Sequence, residues 1–283
     1  MSTLPNPKAI KALALDLDGT ILAPGPELSD RAVKAVKGCT GRGIKVIIAT
    51  GRAIASAERF RAALGVAGPM VYFNGAIVAE MPENKILRAA LLDKKAIDFC
   101  INLSREKGVY YQVFFPGNGP DSRIALMAER DDPERKMYGG HTGIFSQLVD
   151  LKEVLGRNEI EGCYKSMFIA EPEILAAIRP RLDEYLGGNA YIAQTTRTFL
   201  EIMNAGVSKG QGLKTAMEHL SLKREEIIAF GDEENDLPMF DEAGFSVAPS
   251  NAKDAVKARA DLIIGSNSED GVAVFLEEFF IRH

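Results

Sequence analysis

Two aspartates one residue apart, Asp16 and Asp18, stand in the run Asp16-Leu17-Asp18-Gly19-Thr20, directly after an apolar stretch. Side chains alternate along a strand, so the two carboxylates are expected on one side and Leu17 on the other. Ligands of open α/β sheets bind at the carboxyl ends of strands. Two acids held there repel each other unless a cation or a proton intervenes. Gly19 lets the chain turn sharply away. A calcium loop is excluded: counted from Asp16, acids fall at the first, third and twelfth positions (Glu27), but the sixth is Ile21, where that loop needs glycine.

Three further groups follow the same pattern. Thr50-Gly51-Arg52 comes after a second apolar run, offering a hydroxyl and a glycine where an anion could approach backbone amides. Ser208-Lys209-Gly210 opens a helix, and a lysine in a first turn opposes the helix dipole unless an anion lies beside it. The sequence has no G-x-x-x-x-G-K-[ST], so this is not a Walker loop. Gly231-Asp232-Glu233-Glu234-Asn235-Asp236 follows a third apolar run; helix capping accounts for Asp236 but not for Asp232 at the strand end. Acids, a hydroxyl and a lysine on one rim suit a divalent cation plus a phosphate: hard oxygen ligands for Mg²⁺, and donors for phosphate oxygens.

The elements that must position these groups are legible from periodicity. Ala12–Leu17, Ile44–Ala49, Met70–Phe73, Ile227–Phe230, Phe245–Ala248 and Leu262–Ile264 read as buried strands. Between and after them, helices are expected from Ser29 onward, over Ala53–Leu64 with Gly65 as the stop, over Ser208–Leu220, near Leu237–Ala243, after a capping Ser250, and over Val272–Phe280. Apolar strands alternating with helices indicate a parallel sheet covered on both faces. The middle differs. Val109–Phe115, Ile124–Ala128, Ser166–Ala170, Ala190–Ala193 and Thr198–Met203 carry alternating polar residues, with helices near Lys94–Lys107 and Glu173–Leu186. The fold class is therefore α/β: a Rossmann-like parallel-sheet core of residues 1–83 and 204–283, with residues 84–203 inserted as a separate α+β domain.

The chain has 283 residues, 46% hydrophobic and 26% charged, which is ordinary for a globular protein. Its net charge of −5 argues against nucleic acid as the main partner. No apolar run approaches a membrane span and the N-terminus does not resemble a signal peptide, so no membrane partner is expected and the cytoplasm is the default location. Cys39, Cys100 and Cys163 form no C-x-x-C pair and read as buried thiols; the three histidines lie outside the motifs and read as surface residues. Oligomeric state is not readable.

With these stretches in place, the sequence resembles the haloacid dehalogenase superfamily, and within it the Cof-type phosphatases with an inserted α/β cap of the C2B type. The resemblance rests on Leu15–Thr20, Ile48–Arg52, Tyr72–Ala76, Gly206–Gly210, Gly231–Asp236 and Asp270-Gly271-Val272. It implies a phosphoric monoester hydrolase acting on small phosphorylated metabolites. Asp16 would be the nucleophile, and Asp18 the acid that protonates the leaving oxygen and then activates water. Mg²⁺ would be held by Asp16, the Asp18 carbonyl and Asp232. Leu17, Thr50, Gly51, Lys209 and Asn235 would bind phosphate oxygens, Asp236 would orient Lys209 or a metal-bound water, and Arg52 and Asn74 would face the cap. The inserted segment would fold as a lid that chooses the substrate, with Arg123 a candidate contact. A sugar phosphomutase or a non-catalytic regulator on the same scaffold are the alternatives; Asp16 and Asp18 together count against the regulator. Glu233 and Glu234 have no role on this reading.

Overall fold

The structure, a computed structural model, describes residues 4–25, 27–117 and 124–281. The chain divides into two compact units, Met1–Arg88 with Ser208–His283 and, inserted between these segments, Ala89–Val207.

In the first unit, β1 (Ala12–Leu15), α1 (Asp30–Thr40), β2 (Lys45–Ile48), α2 (Ile54–Leu64), β3 (Gly68–Tyr72), β4 (Ile77–Met81) and β5 (Lys85–Ala89) follow in order. The expected strand Ala12–Leu17 ends at Leu15, because the chain enters a tight turn over Leu17–Ile21. Asp18 is therefore not a strand residue, and strand alternation does not place it beside Asp16. The run around Met70 forms a strand, but not a third member of the parallel sheet. β3 touches the β2 strand line through a single parallel bridge, Ala49 to Val71, and otherwise pairs antiparallel with β4 in a sheet ordered β3-β4-β5. Asn74, at φ 54°, and Gly75, at φ 100°, supply the left-handed backbone that reverses the chain between β3 and β4. The unit limit falls after this β-meander, a few residues beyond 83.

The inserted unit holds β6 (Leu92–Asp93), α3 (Lys94–Lys107), β7 (Tyr110–Pro116), β8 (Ile124–Ala128), α4 (Pro133–Thr142), β9 (Gln147–Leu148), α5 (Leu151–Gly156), β10 (Gly162–Cys163), β11 (Lys165–Ile169), α6 (Pro172–Leu186), β12 (Ala190–Gln194) and β13 (Phe199–Asn204). Its main sheet is ordered β12-β13-β11-β7-β8-β9 and is antiparallel except for the β8–β9 pair. Alternation decides the two faces. Tyr111, Val113, Phe115, Phe168, Leu200 and Ile202 share a buried cluster with Ile97, Ile101, Leu175 and Leu182 of α3 and α6. On the other face Phe114 and Phe199 meet the ring of Tyr138 from α4, at 6.2 and 5.9 Å between centroids. Periodicity missed α4, which is mostly polar, and α5, which at six residues is too short to show a helical period. Arg123 lies outside the described residues.

The chain then returns to the first unit with α7 (Lys209–Leu220), β14 (Ile227–Phe230), α8 (Leu237–Glu242), β15 (Phe245–Pro249), α9 (Asp254–Lys257), β16 (Leu262–Ile264) and α10 (Gly271–Leu276). Ser250 does not cap α9, whose N-cap is Lys253. The parallel sheet is ordered β16-β15-β14-β1-β2. Its central strands are buried on both faces: Ala12, Ala14 and Ala229 pack with Leu213 and Met239 of α7 and α8, while Phe230 meets the Phe275 ring of α10 at 5.6 Å. Burial on both faces is why these strands read as unbroken apolar runs. Among the described residues, no helix is long and apolar enough to cross a membrane.

Candidate active site

The carboxyl ends of β1 and β14 and the first turn of α7 bring Asp16, Lys209, Asp232 and Asp236 together. All four are buried. The Lys209 ammonium donates to Asp16 Oδ1 and to Asp236 Oδ1, both at 2.6 Å. These two carboxylates are the anions that a lysine in a helix's first turn requires. One oxygen each of Asp16, Asp232 and Asp236 lies within 4.8 Å of the others.

Each acid is committed differently. Asp236 is fully occupied, because its Oδ2 accepts from the backbone N–H of Asp232 at 2.9 Å and of Glu233 at 3.0 Å. Asp232 Oδ1 accepts from the Thr20 hydroxyl at 2.8 Å. That leaves Asp16 Oδ2 and Asp232 Oδ2 for a further partner. The electrostatics ask for one: three buried carboxylates against one buried ammonium leave two negative charges in excess when all are ionised. Burial pushes the Asp16 carboxyl well above the usual carboxylate range, with the Lys209 charge opposing and Asp236 and Asp232 adding to the rise. Asp232 is pushed up to about 6, again mainly by burial, with the Thr20 hydrogen bond opposing. Burial acts to lower Lys209, but Asp16 and Asp236 overcome it and hold the ammonium charged. Two spare hard oxygens in a site with two surplus negative charges fit a divalent cation. Asp236, expected behind Lys209, is within the cluster, with both oxygens engaged by Lys209 and two backbone amides.

A second group is built on β2 and the β3–β4 turn. Thr50 is fully buried; its N–H donates to Val71 O at 2.9 Å, its O accepts from Asn74 N at 3.0 Å, and its hydroxyl accepts from Arg52 N at 3.1 Å. Asn74 Oδ1 accepts from Asn235 Nδ2 at 3.0 Å, which joins this group to the acid loop after β14. Asn235 Oδ1 is buried with no partner among the described residues. Gly51 lies against this pair, since a Cβ there would sit 3.1 Å from Asn74 Oδ1. Leu17, buried, heads the turn that follows Asp16 and accepts from Leu22 N at 2.9 Å.

Asp18 and Arg52 form a third group. The guanidinium grips the carboxylate with two hydrogen bonds, Nε to Oδ2 at 2.7 Å and Nη2 to Oδ1 at 2.5 Å, and lies over the Phe60 ring at 5.0 Å. Asp18 is thus balanced by an arginine, and its side chain is half-exposed.

Thr20 stands in the first motif but had no role assigned from the sequence. Lys253 carried no signal at all: it pairs with Glu233 at 2.8 Å and reaches Glu234 at 3.8 Å, which gives the two unassigned acids a partner. Asn251 Nδ2 donates to Gly19 O at 2.8 Å. Asn251 lies 232 residues along the chain from the glycine it touches, so no local pattern reveals that contact.

Comparison with known proteins finds relatives along nearly the whole chain. A family model described as haloacid dehalogenase-like hydrolase matches residues 13–276. The chain is 30% identical over 281 residues to a 5-amino-6-(5-phospho-D-ribitylamino)uracil phosphatase of Bacillus subtilis (strain 168), covering 95% of this chain and 97% of that protein. It is 29% identical over 280 residues to a pyridoxal phosphate phosphatase of Escherichia coli (strain K12), covering 96% and 99%. It is also 31% identical to a chloroplastic endoribonuclease of Arabidopsis thaliana, but spans less than half of that protein's length, 44% against 91% of its own. A crystal structure from Thermotoga maritima superimposes with a TM-score of 0.84 at 29% identity, covering 95% of this chain and 97% of that one.

Proposed function

The chain belongs to the haloacid dehalogenase-like hydrolases, as a phosphatase of the Cof type, and we propose that it hydrolyses small phosphorylated metabolites, with Mg²⁺ bound, through a phosphoaspartate on Asp16. The observation that carries this reading is the buried cluster in which Asp16 keeps one oxygen on Lys209 and one oxygen spare, beside an equally spare Asp232.

The Asp16 carboxylate attacks phosphorus and the ester P–O bond breaks. The departing oxygen takes a proton from Asp18, which then accepts one from the water that hydrolyses the acyl phosphate, returning Asp16 as carboxylate and releasing phosphate. Two easier displacements replace one difficult one. Asp16, Asp232 and the Asp18 carbonyl would hold Mg²⁺, which when bound would supply positive charge for the phosphoryl oxygens. Lys209 neutralises Asp16 and, through the same ammonium, meets charge developing on the transferred group. Asp236 fixes Lys209 and the amides of Asp232 and Glu233. Thr50, the Gly51 and Leu17 amides and Asn235 donate to phosphate oxygens. If both amides of the Asn74–Asn235 pair turn over, the contact survives as Asn74 Nδ2 donating to Asn235 Oδ1; the orphaned oxygen gains a partner and Asn235 Nδ2 is released towards an anion. Arg52 is assigned to Asp18, not to the leaving group.

The leaving group is chosen by the inserted unit, which contains none of the motifs. The two phosphatase relatives act on chemically different phosphate esters at nearly equal identity, so neither substrate transfers by name. The endoribonuclease name belongs to a protein more than twice the matched length, and an acidic chain is a poor host for a polyanion.

Release of inorganic phosphate from an aryl phosphate, with and without Mg²⁺, tests the reading, followed by a screen of phosphorylated metabolites. Trapping with beryllofluoride or rapid quench should place the modification on Asp16. Activity that survives complete removal of divalent cations, or a modification elsewhere, would refute it.

A further inference from the structure

The loop that follows Asp16 makes a tight turn that closes with Leu22 N donating to Leu17 O, and Gly19 sits at φ 76° in a conformation that only glycine adopts freely. This loop carries the Asp18 peptide and the Thr20 hydroxyl, and both must be placed against Asp232. A segment just after β15 ties it down. Asn251 Nδ2 donates to Gly19 O at 2.8 Å, and Asn251 Oδ1 accepts from Asn267 N at 2.9 Å. Asn267 Nδ2 in turn donates to Leu22 O at 2.8 Å. The two asparagines therefore hold the middle and the end of the loop, each by its own side-chain amide, and are joined to each other through the Asn267 backbone N–H. Two residues on, Lys253 N donates to Asp232 O at 3.0 Å, and the Lys253 ammonium pairs with Glu233. One short segment, residues 251–253, thus holds both acid loops from the same side.

Resting on the phosphatase reading above, we propose that Asn251 is a positioning residue: it fixes the Gly19 peptide, and so the distance between the Asp16–Asp18 loop and Asp232, with the Asn267 side chain as a second, separate tether at Leu22 O. Its amide contacts neither of the buried acids. Its effect passes through the backbone, so it belongs to the shell that orients ligands, where loss of one partner costs about 10–100-fold in cation affinity or rate. It also explains the clustered charge of Glu233 and Glu234: their pairing with Lys253 anchors the segment to the acid loop.

The experiment compares wild type, Asn251→Ala, Asn267→Ala, the double variant, and Ser268→Ala, whose hydroxyl contacts only Ser266 in the same loop. Each is measured for kcat and KM on an aryl phosphate, for the Mg²⁺ concentration giving half-maximal rate, and for the rise in Tm that Mg²⁺ alone produces. Asn251→Ala should lose about 10–100-fold in kcat and need more Mg²⁺ in both the rate and the Tm measurement. Its KM should stay within about twofold, with the cation-free Tm close to wild type. The double variant should lose more than Asn251→Ala alone, because the Asn267 side chain holds Leu22 O through its own hydrogen bond. Unchanged kcat and Mg²⁺ dependence would overturn the proposal. So would losses shared by Ser268→Ala that track a falling cation-free Tm, since these would mean general support of the loop. A wild-type protein that neither releases phosphate nor gains Tm with Mg²⁺ would refute the phosphatase reading itself, before any variant is compared.

Discussion

Asparagine in place of Asp16 keeps the side chain's shape but removes the charge that attacks phosphorus. Asp16→Asn should lose about 10⁴-fold or more in kcat, the scale seen when a covalent nucleophile is deleted. Because it also removes one carboxylate from an over-negative buried cluster, its cation-free Tm should not fall; phosphate release near wild type would dismiss the nucleophile assignment. Lys209→Ala acts the opposite way. It should lower kcat by about 10²–10³ and also lower the cation-free Tm, since Asp16 and Asp236 lose their shared counter-ion. Asp232 gives a pH signature. Its folded pKa, about 6, lies above its ordinary value of 3.8. Between those two values the folded protein holds a proton that the unfolded chain has released, so this group makes stability fall as pH rises through that window. Without divalent cation, Tm should therefore drop more steeply with pH from about 4 to 6 in wild type than in Asp232→Asn. Added Mg²⁺, which favours the ionised form, should flatten the difference. Parallel Tm–pH curves for the two proteins would contradict the burial argument.

Among the elements, the turn after β1 decides the geometry of the site. A Cβ on Gly19 would stand 2.1 Å from Asp232 Oδ2, in a backbone conformation with φ 76°. Gly19→Ala should therefore cost about 1 kcal/mol or more in stability, and should also displace Asp232 and raise the Mg²⁺ concentration needed for half-maximal rate. Denaturant unfolding together with a cation titration separates the two effects; normal cation dependence would mean that Asp232 moves aside freely. α7 shows the same close fit from the other side. A Cβ on Gly75 would sit 2.1 Å from Ser208 O, and one on Gly210 would sit 2.3 Å from Pro238 O. The helix that delivers Lys209 is thus set against the β3–β4 turn and α8 at backbone contact.

For the whole molecule, the division of labour between the two units sets a further expectation. In the inserted unit, Gln112 is buried, its Oε1 accepts from the Tyr110 hydroxyl, and its Nε2 has no partner among the described residues. A buried donor left unmade costs stability, so Gln112→Leu should not lower Tm. If this unit selects the leaving group, the same substitution should alter kcat/KM between metabolites by up to about 200-fold while leaving acetyl phosphate, which has almost no leaving group to recognise, nearly unchanged. Equal losses on both substrates would assign the unit to support of the chemistry rather than to its selectivity.

The family, the α/β class and the residue types of the site were determined by the sequence alone, because strand burial and the Asp-x-Asp, Thr-Gly-Arg, Ser-Lys-Gly and acidic motifs are local and contiguous. Local pattern also located most strands of the parallel sheet within a residue or two, for apolar runs buried on both faces have no other reading at that length. It failed where contacts over long sequence distances decide. Alternation put Asp18 beside Asp16, whereas the turn at Gly19 sends it to Arg52. β3 looked like a parallel strand, but the left-handed residues at Asn74 and Gly75 fold it into a β-meander. That Asp236 spends both oxygens on Lys209 and backbone amides, that Thr20 holds Asp232, and that Asn251 reaches Gly19 are pairings between chain segments far apart. A hydrogen bond depends on distance and direction in space, and only the folded chain sets those for residues that the sequence keeps apart.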